Sequence, residues 1–105
     1  MSLLENLKIS VVIPCYNVSK HIEGVVQSLP DFITTIIVVN DCSTDETGSI
    51  LEKIALHNSK VVIVNQTTNQ GVGGAMISGY HQSLALGATI TIKMDGDGQM
   101  DPSNI

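Results

Sequence analysis

The stretch Thr34-Thr35-Ile36-Ile37-Val38-Val39-Asn40 decides the fold class of this 105-residue chain. After two threonines come four aliphatic β-branched residues, with no alternation of polar and apolar positions. Such a run is typical of a strand in a parallel sheet that is covered on both faces, because neither face of the strand meets water. The strand delivers Asp41 to its carboxyl end.

Three further apolar runs predict strands over residues 8–14, 61–64 and 88–92, and the last of these has the composition of a buried strand. We expect Pro14 to end the first strand, because proline has no N–H to donate to a neighbouring strand.

Apolar residues recur at three- and four-residue steps between the strands, which predicts helices over 19–29, 43–57 and 71–87. The second helix is expected to begin at a capping box. In that motif the Ser43 side chain bonds to the third helical N–H, and the Glu46 side chain bonds back to the backbone N–H of Ser43.

The alternation of strands and helices predicts an α/β fold with a parallel sheet and right-handed crossovers. Ligands of such sheets bind outside the carboxyl ends of the strands. Four polar or glycine-containing segments, 14–17, 41–43, 69–74 and 95–99, all fall at that edge. We therefore expect one binding site built from four separate loops.

The last of these segments, Asp95-Gly96-Asp97-Gly98-Gln99, has the pattern of a metal loop. In an extended chain Asp95, Asp97 and Gln99 share a face, and their oxygens suit Mg²⁺ or Mn²⁺ with positions left open for phosphate. The alternative is a solvated Asp-Gly turn. An EF-hand loop fails because Met100 stands where glycine is needed, and Gln99 fits a phosphatase loop poorly.

The composition excludes several classes of protein. Ten acidic residues stand against five lysines, arginine is absent and the formal charge is −5, which argues against a nucleic-acid partner.

The length and 43 % hydrophobic content predict a single globular domain over 1–105. Without a membrane-spanning run or a basic secretion signal, a cytoplasmic location is expected. Cys15 and Cys42 lack metal-ligand spacing and are expected to be buried or half-buried thiols.

Four motifs taken together resemble the N-terminal nucleotide-binding half of family 2 glycosyltransferases. They are VIPCYN at 12–17, VNDCSTDET at 39–47, NQGVGGA at 69–75 and MDGDGQ at 94–99. The resemblance covers 8–102 and is nearest to dolichol-phosphate mannosyltransferase-like and bacterial cell-wall enzymes. It implies a Rossmann-like parallel sheet of the glycosyltransferase A type, with strand order 3-2-1-4 and helices on both faces.

The resemblance also implies roles for individual residues. Asp95, Asp97 and Gln99 would hold Mg²⁺ or Mn²⁺ against the diphosphate of a UDP- or GDP-sugar. The catalytic base of the family belongs to a later segment and is expected beyond Ile105. The residues expected to contact the donor nucleotide are Pro14, Tyr16, Asn17, Asp41, Asn69 and Gly71.

The implied function is the donor half of an inverting glycosyltransferase, the N-terminal part of a longer enzyme, acting on a lipid-phosphate or cell-wall polysaccharide acceptor. Membrane contact would come only through segments outside this chain, at the inner face of the membrane. Alternatives are a nucleotide-sugar-binding module without turnover, a sugar-phosphate nucleotidyltransferase and a dinucleotide-binding domain. The last lacks its third glycine at Met76, and the nucleotidyltransferase lacks a basic glycine-rich loop after the first strand.

Self-association follows from the same resemblance. Later strands flank the fourth strand in the family, so residues 89–94 would form an unpaired apolar edge in this chain, and such edges pair with other chains. We expect dimers or larger aggregates, and light scattering that gives a single monomeric species at high concentration would contradict this.

Overall fold

The chain folds as a four-stranded sheet flanked by three helices, in a computed structural model that describes residues 7–96. The elements are β1 (Ile9–Cys15), α1 (Ile22–Gln27), β2 (Thr35–Asn40), α2 (Thr47–His57), β3 (Val61–Asn65), α3 (Gly71–Ala85) and β4 (Ile90–Lys93). All strand pairs are parallel and the order is β3-β2-β1-β4. The predicted α/β class and strand order are confirmed.

Alternate residues of β1 and β2 enter two separate cores, because successive side chains of a strand point to opposite faces. The core beneath α1 and α2 includes Val11, Ile13, Ile36, Val38 and Leu51. The core beneath α3 includes Val12, Ile37, Val39, Ala75 and Met76. Helices therefore cover both faces, as predicted. None of the helices within residues 7–96 has the length and hydropathy needed to cross a bilayer.

β1 runs one residue beyond Pro14, where we predicted its end. The backbone N–H and carbonyl groups of even-numbered β1 residues point toward β4, since the Val12 carbonyl accepts the N–H of Met94 at 3.0 Å. Odd-numbered positions face β2, since the Cys15 carbonyl accepts the N–H of Asp41 at 2.9 Å. Pro14 therefore faces the side on which pairing with β4 has already ended at Val12. Its missing N–H costs no bond to β2, and the strand continues.

The capping box predicted at Ser43 and Glu46 is wrong, because α2 begins at Thr47. Glu46 precedes the first turn and makes no side-chain capping bond. The Ser43 hydroxyl instead accepts the N–H of Asn17 at 3.1 Å. The oxygen that would have capped the helix therefore bonds to the loop after β1.

α1 is shorter than the predicted 19–29 for a related reason. The N–H of Val18 donates to the hydroxyl of Thr47 at 2.9 Å. The Val18 carbonyl accepts the N–H groups of His21 and Ile22, which forms a turn ahead of the helix. Bonds to the start of α2 thus shape the segment that would have been the first helical turn.

β4 lies at the edge of the sheet formed by residues 7–96, as the resemblance implied, and the burial predicted from its composition is wrong. It lies at the end of the described sheet beside β1, and Ile90 is 43 % exposed. The predicted stop of α3 near Gly87 is confirmed. Gly87 adopts a φ of 80°, and the N–H groups of Gly87 and Ala88 bond back to the carbonyls of Leu84 and Ser83.

We predict that Gly79→Ala destabilises the protein, because α3 packs onto β1 at this point. A Cβ at Gly79 would overlap Cγ1 of Val12, a fully buried side chain. The overpacking should lower the free energy of unfolding by about 1–3 kcal/mol. The control is Gly73→Ala in the same helix, where a Cβ meets nothing within 4 Å. It should be neutral or add up to about 1 kcal/mol through helix propensity. Equal stability of the two variants in urea unfolding would contradict the packing described here.

Candidate functional site

A cleft of about 280 Å³ opens at the carboxyl edge of the sheet, between the end of β1 and the start of α3. It is lined by Pro14, Cys15, Tyr16, Asp41, Asn69, Gly71, Val72 and Ala75. Three of the four predicted segments therefore meet here. The cleft brings together five of the six residues predicted to contact a nucleotide, and Asn17 is the one that does not line it.

Asp41 places a buried carboxylate in the cleft, with only 3 % of the residue exposed. Its Oδ1 accepts the N–H of Gln70 and its Oδ2 accepts the N–H of Gly71, both at 2.8 Å. These N–H groups open α3, where no carbonyl of the helix can reach them and where the helix dipole favours a negative charge. The carboxylate thus fixes the start of α3 against the end of β2. Each oxygen still has a lone pair that can accept a bond from a ligand.

A second side chain also bonds to the start of α3. Asn69 Oδ1 also accepts the Gly71 N–H, at 3.0 Å. Gly71 adopts a φ of 73°, a conformation in which a side chain would be strained, so glycine suits this corner of the cleft.

The mouth of the cleft exposes apolar surface on two sides. Tyr16 is 49 % exposed and Val72 is 59 % exposed. A tyrosine ring offers a flat apolar face with a polar tip, and such rings stack on nucleobases. The sequence analysis missed three cleft residues, Cys15, Val72 and Ala75. All three lie inside the motifs quoted there, so the motif boundaries held the only signal for them.

Asn17 lies off the cleft and bonds to the loop between β2 and α2. Its Oδ1 accepts the N–H groups of Thr44 at 2.8 Å and Asp45 at 3.2 Å. Its Nδ2 donates to the Thr44 hydroxyl at 3.1 Å. The amide is therefore engaged within the protein.

The acidic loop is described only at its beginning. Asp95 pairs with Lys93, with 3.6 Å between Oδ1 and Nζ. Gly96 packs closely, since a Cβ there would lie 3.2 Å from the Pro14 carbonyl oxygen. Asp97 and Gln99 lie outside the described residues. Within 7–96, His, Cys, Asp and Glu side chains form no group of three that could hold a metal ion, so the metal site stays a prediction.

Both cysteines are free thiols, buried at Cys15 and half-buried at Cys42, as predicted. Burial raises the pKa of Cys15 to about 12. Its thiol is therefore protonated at neutral pH and donates to the Ile13 carbonyl at 3.3 Å. A protonated thiol is a poor nucleophile, so Cys15 shapes the cleft wall and supplies no reactive group.

A larger groove of about 410 Å³ lies between α1 and α2 and is lined in part by Glu23, Lys53 and His57. It belongs to the helix-covered face and holds no residue of the four predicted segments. Size alone would favour it, but the smaller cleft has the buried carboxylate and the converging loop ends, which are the features of a ligand site in this class of sheet.

Comparisons with known proteins show the family to which the chain belongs. The family model for glycosyl transferase family 2 matches residues 10–105. The UDP-N-acetylglucosamine–dolichyl-phosphate N-acetylglucosaminyltransferase of Methanococcus voltae is 36 % identical over 110 residues, covering 92 % of this chain and 44 % of that protein. The undecaprenyl-phosphate mannosyltransferase of Micrococcus luteus is 30 % identical over 101 residues, covering 94 % and 42 %.

A solved structure is similar as well. Residues 1-349 of S. aureus TarS, in complex with UDP, superpose with a TM-score of 0.74 at 30 % identity, covering 87 % of this chain and 28 % of that one. The chain thus spans less than half the length of these relatives. With a family model matched over nearly its whole length, the chain belongs to the family 2 glycosyltransferases.

Proposed function

We propose that this chain binds the nucleotide of a UDP- or GDP-sugar in the cleft at the carboxyl edge and forms the donor half of an inverting glycosyltransferase. The observation that carries the proposal is the meeting of Pro14, Tyr16, Asp41, Asn69 and Gly71 around one cleft. The relatives support it: TarS was crystallised with UDP, and the names of the two enzymes specify dolichyl phosphate and undecaprenyl phosphate. We propose the same acceptor class, a lipid phosphate or a cell-wall polymer, at the cytoplasmic side of a membrane.

Two side chains would recognise the nucleotide in different ways. The Tyr16 ring would stack on the base, which is worth about 1–3 kcal/mol in proteins that bind single bases this way. The Asp41 carboxylate would accept a hydrogen bond from a base N–H or a ribose hydroxyl through a lone pair that the start of α3 leaves free. Because Asp41 is buried, such a bond would be stronger than one in water.

We further propose that Asp95, Asp97 and Gln99 bind Mg²⁺ or Mn²⁺. Once bound, the cation would neutralise the negative charge that the departing diphosphate acquires. The chain has no arginine to do this, which leaves lysine and backbone N–H groups as its only other means. The close packing of Gly96 on the Pro14 carbonyl supports the assignment, because it brings the beginning of the acidic loop beside the cleft.

We also propose self-association through β4. Its position at the end of the described sheet and the exposure of Ile90 support this. α3 adds a second apolar surface: it contains no Lys, Arg, Asp or Glu, and Ile77 and Leu84 are largely exposed on it. Uncharged surfaces can approach each other in a chain whose net charge of −5 otherwise opposes association.

Isothermal titration with UDP and with GDP, each in Mn²⁺ and in EDTA, tests the proposed site. We expect one nucleotide to bind, more tightly with Mn²⁺. Asp97→Ala should reduce the affinity in Mn²⁺ to the value in EDTA. Tyr16→Ala should weaken binding about 10- to 100-fold in both conditions, as loss of a stacked base predicts.

The control for these titrations is Asp31→Ala, which removes an exposed carboxylate outside the cleft and the acidic loop and should bind as the unchanged protein does. Absence of binding to both nucleotides in Mn²⁺ would overturn the proposal. Binding that neither Asp97→Ala nor Tyr16→Ala alters would place the nucleotide elsewhere.

A further inference from the structure

Two residues of the cleft are each followed by a residue in the left-handed conformation. Among residues 7–96, the non-glycine residues with positive φ are Asn17, at 53°, and Cys42, at 57°. Asn17 follows Tyr16 and Cys42 follows Asp41. This conformation is uncommon outside glycine and persists where the surroundings hold it. The chain therefore turns sharply directly after Tyr16 at the end of β1 and directly after Asp41 at the end of β2.

The turn after Tyr16 is held by hydrogen bonds to the loop between β2 and α2. The backbone N–H of Asn17 donates to the Ser43 hydroxyl at 3.1 Å. The Asn17 side chain accepts the N–H groups of Thr44 and Asp45 and donates to the Thr44 hydroxyl. One residue of the first loop thus bonds to three consecutive residues of the second.

The two residues after Asn17 continue this connection. Val18 donates its N–H to the Thr47 hydroxyl at 2.9 Å, and Ser19 donates its N–H to Oδ2 of Asp45 at 3.3 Å. The other oxygen of Asp45 accepts the N–H of Thr47 at 2.9 Å. Hydrogen bonds to Asp45 from Thr47, the side-chain bond first, and from Ser19 lower the pKa of Asp45 to about 2, so the carboxylate stays ionised and able to accept them at physiological pH.

We propose that Asn17 is a positioning residue: by bonding the loop after β1 to the loop after β2, it holds Tyr16 at a fixed distance from Asp41. A base stacked on Tyr16 while its N–H or the ribose bonds to Asp41 requires that distance to be set before binding, since ordering the loop afterwards would cost affinity. The effect on nucleotide affinity rests on the function proposed above. The restraint on Tyr16 does not, and it can be measured without a ligand.

Tyrosine fluorescence measures the restraint directly. The chain has two tyrosines and no tryptophan, so in a Tyr80→Phe background Tyr16 is the only strong emitter. Tyr80 lies on α3 and does not line the cleft. We expect both Asn17→Ala and Asn17→Gly to lower the emission anisotropy. The glycine variant adopts positive φ without strain, so it removes the amide bonds while sparing the turn.

The matched control is Asn58→Ala. Asn58 Oδ1 accepts the N–H of Lys60 at 3.0 Å, a comparable side-chain to backbone bond between α2 and β3 and outside the cleft. This variant should leave the anisotropy of Tyr16 unchanged. All variants are compared at a temperature at which circular dichroism shows each of them folded, so that global unfolding does not enter.

Nucleotide affinity separates positioning from plain stabilisation. With whichever of UDP and GDP the unchanged protein binds, Asn17→Gly should weaken binding about tenfold, part of the energy of a stacked base. In a Tyr16→Ala background the same change should cost almost nothing further, because Asn17 acts through Tyr16.

Unchanged anisotropy in both Asn17 variants would overturn the inference, and so would a loss of affinity that adds fully to that of Tyr16→Ala. If the unchanged protein bound neither nucleotide, the proposed function would fail and the anisotropy alone would decide whether Asn17 restrains Tyr16.

Discussion

The site depends on the parallel register of β1 and β2. Pro14 lies opposite Val39 and Cys15 lies opposite Asn40. The next residues, Tyr16 and Asp41, therefore leave neighbouring strands at the same level, at the edge where α3 begins. Strands about 4.8 Å apart set the spacing of an aromatic ring and a carboxylate with a precision that two loops alone would not have. The apolar runs that form the sheet thus also build the cleft.

Charge decides what the cleft can accept. The carboxylate of Asp41 already satisfies the first N–H groups of α3 and opposes the positive end of the helix dipole. A diphosphate entering the same edge would meet this carboxylate in a chain with no arginine. Like charges repel unless a cation lies between them. This repulsion supports the proposal that the acidic loop binds a metal ion together with the nucleotide.

Local sequence patterns predicted the elements well and their ends poorly. The β-branched runs and the helical periodicity predicted all seven elements, because burial on one or both faces requires apolar residues at regular positions along the element. The start of α2 could not be found this way, since Ser43 is taken by Asn17, which lies 26 residues away in sequence. The composition of β4 also predicted burial wrongly, because an apolar run looks alike in the centre and at the edge of a sheet; only the resemblance to a family indicated the edge position.

The candidate site was likewise predicted only in part. Glycine and Asp-rich segments at strand ends identified the carboxyl edge, and the resemblance to a family supplied the strand order, which no pattern in a single sequence encodes. The partners of Asn17 were beyond prediction, because its amide bonds depend on how two loops meet after folding. Asp97 and Gln99 remain predictions, since they lie outside the described residues.

The most direct test of the central claim is to map nucleotide binding onto backbone amides by ¹⁵N–¹H NMR, with UDP or GDP added in the presence of Mg²⁺. We expect shift changes to concentrate at Tyr16, Asp41 and residues 69–72, while the amide signals of Glu23 and Lys53, in the groove between α1 and α2, do not shift. Changes centred on that groove, or none at the carboxyl edge, would contradict it.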